Sequence, residues 1–183
     1  MKKISLILLI VMLGSTCIWA LKIGRKILPD TMKAGDIELL LNGAGLRKKF
    51  IIKVYAGALY LPAKNSNAAQ IAAADEPMAI KMHFIYKAVD PDKLIEAWNT
   101  GFAKSDISNL QTEINTFNSY FNKDAVEDDV YDIIYLPGEG TSLFINHELK
   151  GTIAGLEFKT ALFNIWLSDN TELPKLRDAM LGN

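Results

Sequence analysis

An arginine and a tyrosine in the segment LNGAGLRKKFIIKVYAGALYLP are the residues best suited to bind a small anion. The guanidinium of Arg47 is always charged, and its planar set of donors matches a carboxylate or an enolate-like oxygen. We interpret residues 47–61 as one long strand, and strict alternation then places Arg47 and Tyr55 on the same face. Together they could fix the polar head of a mostly apolar ligand. The alternative is that Arg47, Lys49 and Lys53 only solvate an outward strand face.

Two polar side chains, Thr160 and Asn164, lie one turn apart on a predicted helix that is otherwise apolar nearly all round. Buried polar groups need hydrogen-bond partners, so this pair could line a ligand cleft between the helix and a sheet. The alternative is that both are satisfied core or edge residues. Three aromatic residues, Trp98, Phe102 and Trp166, could wall an apolar pocket, but each is equally suited to an ordinary core.

The sequence lacks the patterns of the common metal, nucleotide and hydrolase sites. His83 and His147 are the only histidines, and neither belongs to an HExxH motif or a Cys/His cluster. No GxSxG motif is present, and the GAG and GEGT segments do not form a dinucleotide or phosphate loop. The chain has 20 Lys and Arg against 21 Asp and Glu without a basic stripe, which argues against a nucleic-acid partner. We therefore expect no metal, no cofactor and no nucleic acid.

The elements that must position these residues alternate between strand-like and helix-like segments. The length of 183 residues indicates one domain with a sizeable core. Residues 37–42 are predicted as a strand that ends at an NGAG turn, and Gly57 is a candidate bulge in the strand that follows. Further patterns predict helix 66–74, strand 77–87, a helix capped by Asp90, a helix over 107–121, strands 130–136, 141–145 and near 152, and helices 156–167 and 173–181. The sum is an α+β fold, an antiparallel sheet covered by helices on one face.

The first twenty residues, MKKISLILLIVMLGSTCIWA, have the pattern of a signal peptide. Two lysines precede an apolar core over residues 4–13, and small residues lead to a predicted cut after Ala20. The apolar run is shorter than the ~20 residues of a spanning helix, which favours cleavage over an uncleaved signal anchor. We therefore predict a signal peptide over 1–20 and a periplasmic or secreted domain over 21–183.

The only cysteine, Cys17, falls within the predicted signal peptide. The mature chain would then contain no disulfide, so its stability must come from the core alone. Lipidation at Cys17 is an alternative with less support, because Thr16 precedes the cysteine and the leucine stands one place too far upstream. We expect no stable membrane anchoring after the signal peptide is cleaved.

Essentially the whole mature chain resembles the bacterial branch of the chalcone-isomerase-like proteins. The resemblance rests on four segments in order: LNGAGLRKKFIIKVYAGALYLP, MKMHFIYKAVDPDKLIEAWNTGF, DDVYDIIYLPGEGTSLFINHELKGTIAG and FKTALFNIWLSDN. It implies an open-faced β-sandwich, in which a large antiparallel sheet faces a helical layer across a ligand cleft. Plant chalcone isomerases close a flavanone ring there by intramolecular addition of a phenolate to an enone, whereas related plant members bind fatty acids without catalysis.

The resemblance implies a ligand contact for Arg47, because family members place an arginine after the glycine turn, at the anionic part of the ligand. It places a strand threonine of the isomerase at or near Tyr55, and its late-helix threonine or serine near Asn164. The isomerase's tyrosine and asparagine at the start of the following helix are not matched. That region, VDPDKLIEAWN, has no tyrosine, has Ala97 where the asparagine is expected, and has Asn99 two residues away.

These replacements favour binding over catalysis. Ring closure needs a positioned phenolate and a polarised ketone oxygen, and Arg47 supplies only part of that set. We expect non-catalytic binding of a small apolar anion, such as a fatty acid, by Arg47, Tyr55, Thr160 and Asn164. The alternatives are an intramolecular lyase or isomerase acting on a chalcone-like unsaturated ketone, with Arg47 as its electrophilic group, and an exported interaction protein without a small ligand.

Overall fold

The computed structural model describes residues 20–183, so the predicted signal peptide core and Cys17 lie outside the described residues. The strands of this part are β1 Ala20–Ile23, β2 Lys26–Pro29, β3 Thr31–Ala34, β4 Ile37–Lys49, β5 Ile52–Leu61, β6 Met78–Phe84, β7 Ala88–Val89, β8 Ala125–Val126, β9 Val130–Leu136, β10 Gly140–Ile145 and β11 Glu148–Ile153. The helices are α1 Ala68–Ala73, α2 Pro91–Phe102, α3 Gln111–Ser119, α4 Leu156–Leu167 and α5 Pro174–Met180. Within residues 20–183, no helix is long and apolar enough to cross a bilayer.

A seven-stranded antiparallel sheet in the order β11-β10-β9-β6-β5-β4-β3 forms the framework of the molecule. Strands β1 and β2 pair as a separate hairpin, and β7 pairs with β8. The helices pack on one face of the large sheet, where strand and helix side chains share one hydrophobic core. The predicted α+β class, an antiparallel sheet covered by helices on one face, is therefore confirmed.

The opposite face of the sheet carries a second, smaller core. Leu28 from the β1–β2 hairpin is fully buried in it, together with Ala56 and Ala58 of β5. The sheet curls, so the β3–β4 turn approaches β9: a Cβ at Gly35 would lie 3.4 Å from Leu136 Cδ1. Curling and the added hairpin together shield this face from solvent.

The segment predicted as one strand over 47–61 is in fact a hairpin, so that prediction is wrong. Lys49 of β4 pairs with Ile52 of β5, and Phe50 and Ile51 form the two-residue turn between them. Two-residue hairpin turns usually contain glycine, asparagine or aspartate, and this turn contains none of them. The strong β propensity of KKFIIK therefore hid the reversal of the chain.

The NGAG segment, predicted as a turn, instead lies inside β4, which continues to Lys49. The predicted bulge at Gly57 is also wrong, because β5 pairs with β6 in unbroken register from Tyr55 to Tyr60. The register shifts between β4 and β5 leave Asn42 and Val54 as the extra residues.

The later predicted elements match the structure more closely. Helix α4 has the predicted bounds, and Asp90 caps α2 by accepting a hydrogen bond from Asp92 N at 2.9 Å. Helix α3 begins at Gln111, later than predicted, because Ile107 and Leu110 form a turn before it. The last helix, α5, packs against β4 and contributes a wall of the site described next.

Candidate functional site

Arg47 and Tyr55 are directly opposed residues of β4 and β5. Directly opposed residues of antiparallel strands project from the same face of a sheet. Tyr55 belongs to the core beneath the helices, so Arg47 also projects toward the helical layer. Alternation along a single strand predicts a shared face for the two residues, whereas the structure brings them together across a hairpin.

The Tyr55 side chain is 5% exposed, and its hydroxyl accepts a hydrogen bond from Trp166 Nε1 at 3.0 Å. Burial raises the pKa of Tyr55 to about 12, although the Trp166 hydrogen bond and the charge of Arg47 act in the opposite direction. The phenol is therefore neutral at physiological pH. Among residues 20–183, no acceptor takes its hydroxyl proton, so that proton remains free for a ligand.

A cavity of about 520 Å³ lies beside Arg47, between β1, β4 and the start of α5. It forms there because β3 pairs with β4 only as far as Leu40, which leaves the outer edge of the later part of β4 without a strand partner in the sheet. The cavity is lined by Lys22, Ile23, Gly24, Gly45, Leu46, Arg47, Lys48, Glu172, Leu173, Pro174, Lys175, Leu176 and Ala179. Its volume falls within the range of small-molecule sites.

Most of the charge around this cavity is positive. Four of its lining residues are cationic, namely Lys22, Arg47, Lys48 and Lys175. The one lining carboxylate, Glu172, is already paired with Lys104 at 2.8 Å. Within the described part of the chain, none of the four cations has a carboxylate oxygen within 4.0 Å. The cavity therefore combines an apolar wall from α5 with an uncompensated cationic rim.

Helix α5 lies directly on the glycines of β4 and β5. A Cβ at Gly43 would lie 2.2 Å from Ala179 O, and a Cβ at Gly45 would lie 2.7 Å from Ala179 Cβ. Asn42, the bulged residue, donates from Nδ2 to Met180 O at 2.8 Å. The glycines of GAG thus provide the close approach of a helix to a strand.

Leu176 of α5 lies near both the cavity and Tyr55. It lines the cavity, and its Cδ1 lies 3.3 Å from the position that a Cβ at Gly57 would take. Tyr55 Cε2 lies 3.2 Å from the same position, so both side chains pack over Gly57. The Arg47 guanidinium donates from Nη1 to Lys48 O at 2.6 Å, which leaves its other N–H groups for a ligand.

Thr160 and Asn164, the second predicted pair, are half-buried on α4 and do not line this cavity. Thr160 Oγ1 donates to Ala72 O at 3.1 Å, which ties α4 to the end of α1. Lys159, next to it, is fully buried and donates to Ala72 O at 2.9 Å and to Ala74 O at 2.5 Å.

The three aromatic residues considered as pocket walls lie in the core beneath the helices. Trp98, Phe102 and Trp166 are 3%, 0% and 0% exposed. The ring centroids of Trp98 and Trp166 are 5.5 Å apart, and Trp98 also packs on Phe117 and Phe121. Side chains therefore fill the space around these rings.

Sequence reasoning missed two lysines of the cavity rim, Lys22 and Lys175, and the partner of Tyr55. Lys22 and Lys175 are distant from Arg47 in sequence, and only the placement of β1 and α5 brings them to it. Trp166 was considered as a pocket wall rather than as a hydrogen-bond donor to Tyr55. Among residues 20–183, no cluster of three or more His, Cys, Asp or Glu side chains could hold a metal ion.

Comparison with known proteins adds a family and a related fold. The profile of a family described as chalcone isomerase-like matches residues 20–182. The chain is also similar to the crystal structure of an Arabidopsis thaliana fatty-acid binding protein, with a TM-score of 0.69 and 18% sequence identity, over 85% of this chain and 91% of that chain. At this identity, the likeness shows the fold alone. No curated protein sequence matches this chain.

Proposed function

The chain belongs to the chalcone isomerase-like family, and we propose that it is a non-catalytic binding protein for a small apolar anion such as a fatty acid. The carrying observation is that Arg47 lines a 520 Å³ cavity and stands directly opposite a buried, neutral Tyr55. A carboxylate next to both would accept N–H donors from the guanidinium and the free hydroxyl proton of the tyrosine.

The ligand's apolar body would lie along α5. Leu173, Leu176 and Ala179 line the cavity on that side, next to Ile23 of β1. Such a site has a cationic rim and an apolar wall, which are the two surfaces that an amphiphilic anion needs. The fold shared with a fatty-acid binding protein supports this ligand class. Movement of Leu176 would connect the cavity with the Tyr55 hydroxyl.

The protonation state of Tyr55 favours binding over catalysis. A phenol with a pKa of about 12 donates a hydrogen bond at neutral pH and is a poor general base. Ring closure of a chalcone-like ketone needs further oriented polar groups, and α2 presents Ala97 and Asn99 instead of the isomerase's set. An intramolecular lyase remains the alternative that the experiment must distinguish.

We further propose that the protein acts after export, in the periplasm or outside the cell. The support is the charged and apolar pattern of residues 1–20. The mass of the protein recovered from the exported fraction would establish the cut site. It would also distinguish simple cleavage from lipidation at Cys17.

Native mass spectrometry of protein purified from the exported fraction without detergent tests the binding function. We expect a stoichiometric apolar anion that denaturation releases. Arg47→Ala should lose it, because a charge-assisted contact contributes about 1.5–3 kcal/mol, or roughly tenfold to a hundredfold in affinity. Lys33→Ala, which removes an exposed charge on β3, is the matched control and should keep the ligand.

Two results would contradict the proposal. One is full ligand occupancy in Arg47→Ala. The other is turnover of a chalcone above background by the wild type that Arg47→Ala abolishes, which would establish the lyase instead.

A further inference from the structure

The tip of the β4–β5 hairpin exposes two large apolar side chains almost completely. Phe50 and Ile51 are 93% and 94% exposed, and Ile52 beside them is 43% exposed. Ile27, at 65%, is the next most exposed of the large hydrophobic residues in the described chain. Two adjacent bulky residues with almost no protein contact form a protruding apolar point, which is typical of an interaction site.

The fold does not require these residues at the turn. Phe50 has φ of +55°, a conformation that glycine and asparagine adopt readily and that a bulky residue adopts at a cost. A two-residue hairpin turn with a positive φ at its first residue favours glycine or asparagine there, so the Phe-Ile turn is unfavourable for stability alone. A role in binding another molecule therefore accounts better for Phe50 and Ile51 than a role in stabilising the fold.

Lysines surround this apolar tip. Lys48 and Lys53 are directly opposed across the hairpin, a like-charge pair that disfavours the fold unless an anion lies nearby, and Lys49 is adjacent. In the described structure, none of the three has a carboxylate oxygen within 4.0 Å. The surrounding residues 39–74 contain five of the chain's 20 Lys and Arg and none of its 21 Asp and Glu.

We propose that this tip docks the protein reversibly on an anionic lipid surface. Phe50 and Ile51 enter the boundary between head groups and acyl chains, while Lys48, Lys49 and Lys53 contact the anionic head groups. Charge complementarity favours a lipid surface. The lysines that flank the two apolar side chains match the anionic head groups, and the apolar side chains match the acyl layer beneath them. Such docking is peripheral, and it agrees with the expectation that the mature chain has no stable membrane anchor.

This inference goes beyond the binding function and does not depend on it. Lys48 belongs both to the tip and to the rim of the cavity, and Arg47 precedes it. If the cavity binds a fatty acid, the docked tip would hold the cavity rim at the surface where such molecules reside. The docking test below adds no fatty acid and varies the tip while Arg47 is kept, so its outcome is separate from that of the ligand test.

Sedimentation with vesicles is the experiment, using the exported protein and no added ligand. We expect binding to phosphatidylcholine vesicles that contain about a third phosphatidylglycerol, much weaker binding to phosphatidylcholine alone, and weakening with added salt. The Phe50→Asn/Ile51→Gly variant should keep or gain thermal stability but bind the mixed vesicles at least tenfold more weakly. Leu149→Asn, which removes an exposed leucine on β11, should bind like the wild type.

A charge variant tests the lysines separately. Replacing Lys48, Lys49 and Lys53 by glutamine should weaken binding by about fivefold per lysine. Replacing three exposed lysines elsewhere, Lys33, Lys93 and Lys123, makes the same change in net charge and should have little effect.

Unchanged vesicle binding by the Asn-Gly variant would overturn the proposal, as would equal binding to neutral and anionic vesicles. A concentration-dependent dimer that both tip variants abolish, without any vesicle binding by the wild type, would show instead that the tip contacts a second copy of the chain.

Discussion

Arg47 and Tyr55 face each other across the β4–β5 hairpin, and the Tyr55 hydroxyl in turn accepts the indole N–H of Trp166 on α4. This arrangement fixes the direction of each donor. The indole N–H occupies an acceptor position of the hydroxyl, so the phenolic proton remains available, as do the Arg47 N–H groups that do not donate to Lys48 O. The sheet and the helical layer would thus each contribute a residue to the proposed anion-binding site.

Tyr55→Phe should weaken binding of a fatty acid by about tenfold, because it removes one hydrogen bond to the carboxylate. It should also lower the free energy of unfolding by about 1–3 kcal/mol, since the buried Trp166 N–H loses its acceptor. Calorimetric titration and urea unfolding measure the two effects separately.

Tyr135→Phe is the matched control. Tyr135 is also buried, but its hydroxyl donates to Asp75 at 2.6 Å, and it pairs with Met78 of β6 rather than with Arg47. The Tyr135→Phe variant should have a lower free energy of unfolding and an unchanged affinity for the fatty acid. Equal losses of affinity in the two variants would show that Tyr55 acts only through stability.

The sequence determined the fold more readily than the site. Helix α4 is apolar nearly all round and β9 has a regular apolar pattern, so local periodicity was enough to place both. The turn at Phe50 and Ile51 has no local signal, and the glycines of GAG serve a contact with α5 more than a hundred residues later. Long-range packing of this kind leaves no local signal that a single sequence can reveal.

The cationic rim shows the same limit. Arg47 was identified from its own chemistry and from the family resemblance. Lys22 and Lys175 reach the cavity only because β1 and α5 flank the open edge of β4. The arrangement KKFIIK, with lysines on both sides of a bulky pair, was the one local signal that could have indicated the hairpin tip.

Ionisation of buried tyrosines should unfold the protein at alkaline pH. Burial raises the pKa of Tyr55, Tyr131 and Tyr135 to about 12, with a hydrogen bond to Asp75 also acting on Tyr135. The unfolded chain loses these protons near pH 10, so their stabilisation is complete below pH 10 and is lost as pH rises toward 12. Tyr55, which is buried completely, contributes up to about 2–3 kcal/mol. Circular dichroism should show loss of the fold as pH rises from 10 toward 12, and unchanged stability over that range would contradict this.

Lys159 should make stability rise between pH 8 and pH 10. Burial lowers the pKa of Lys159 to about 8, against the opposing charges of Asp75 and Glu76. In that range the unfolded chain holds the proton and the folded chain has released it, so stability increases with pH, by at most about 3 kcal/mol.

Lys159→Met isolates this contribution. Urea unfolding of the wild type and the variant should be compared at pH 7.5 and 9.5, which span most of the titration of Lys159. The free energy of unfolding should rise between these pH values only in the wild type. The same pH dependence in both proteins would mean that another group is responsible.

Gly43→Ala should displace α5. The added Cβ would lie 2.2 Å from Ala179 O and 2.8 Å from Met180 O, and both are backbone atoms that cannot rotate away. We expect a loss of about 2–4 kcal/mol, faster proteolysis within residues 174–183 and weaker ligand binding. Gly138→Ala is the control: φ there is +78° with no atom within 4 Å, so only about 1–2 kcal/mol of backbone strain should appear.

The absence of acidic residues from 39–74 makes the molecule an electric dipole. Its net charge of −1 describes the sum and not the distribution, because the acidic residues all lie elsewhere along the chain. A dipole of this kind turns as it approaches a charged surface, so encounters with anions begin at the β4–β5 end. At low ionic strength, the protein should therefore be retained on a cation-exchange resin on which a uniformly charged chain of the same net charge would not bind.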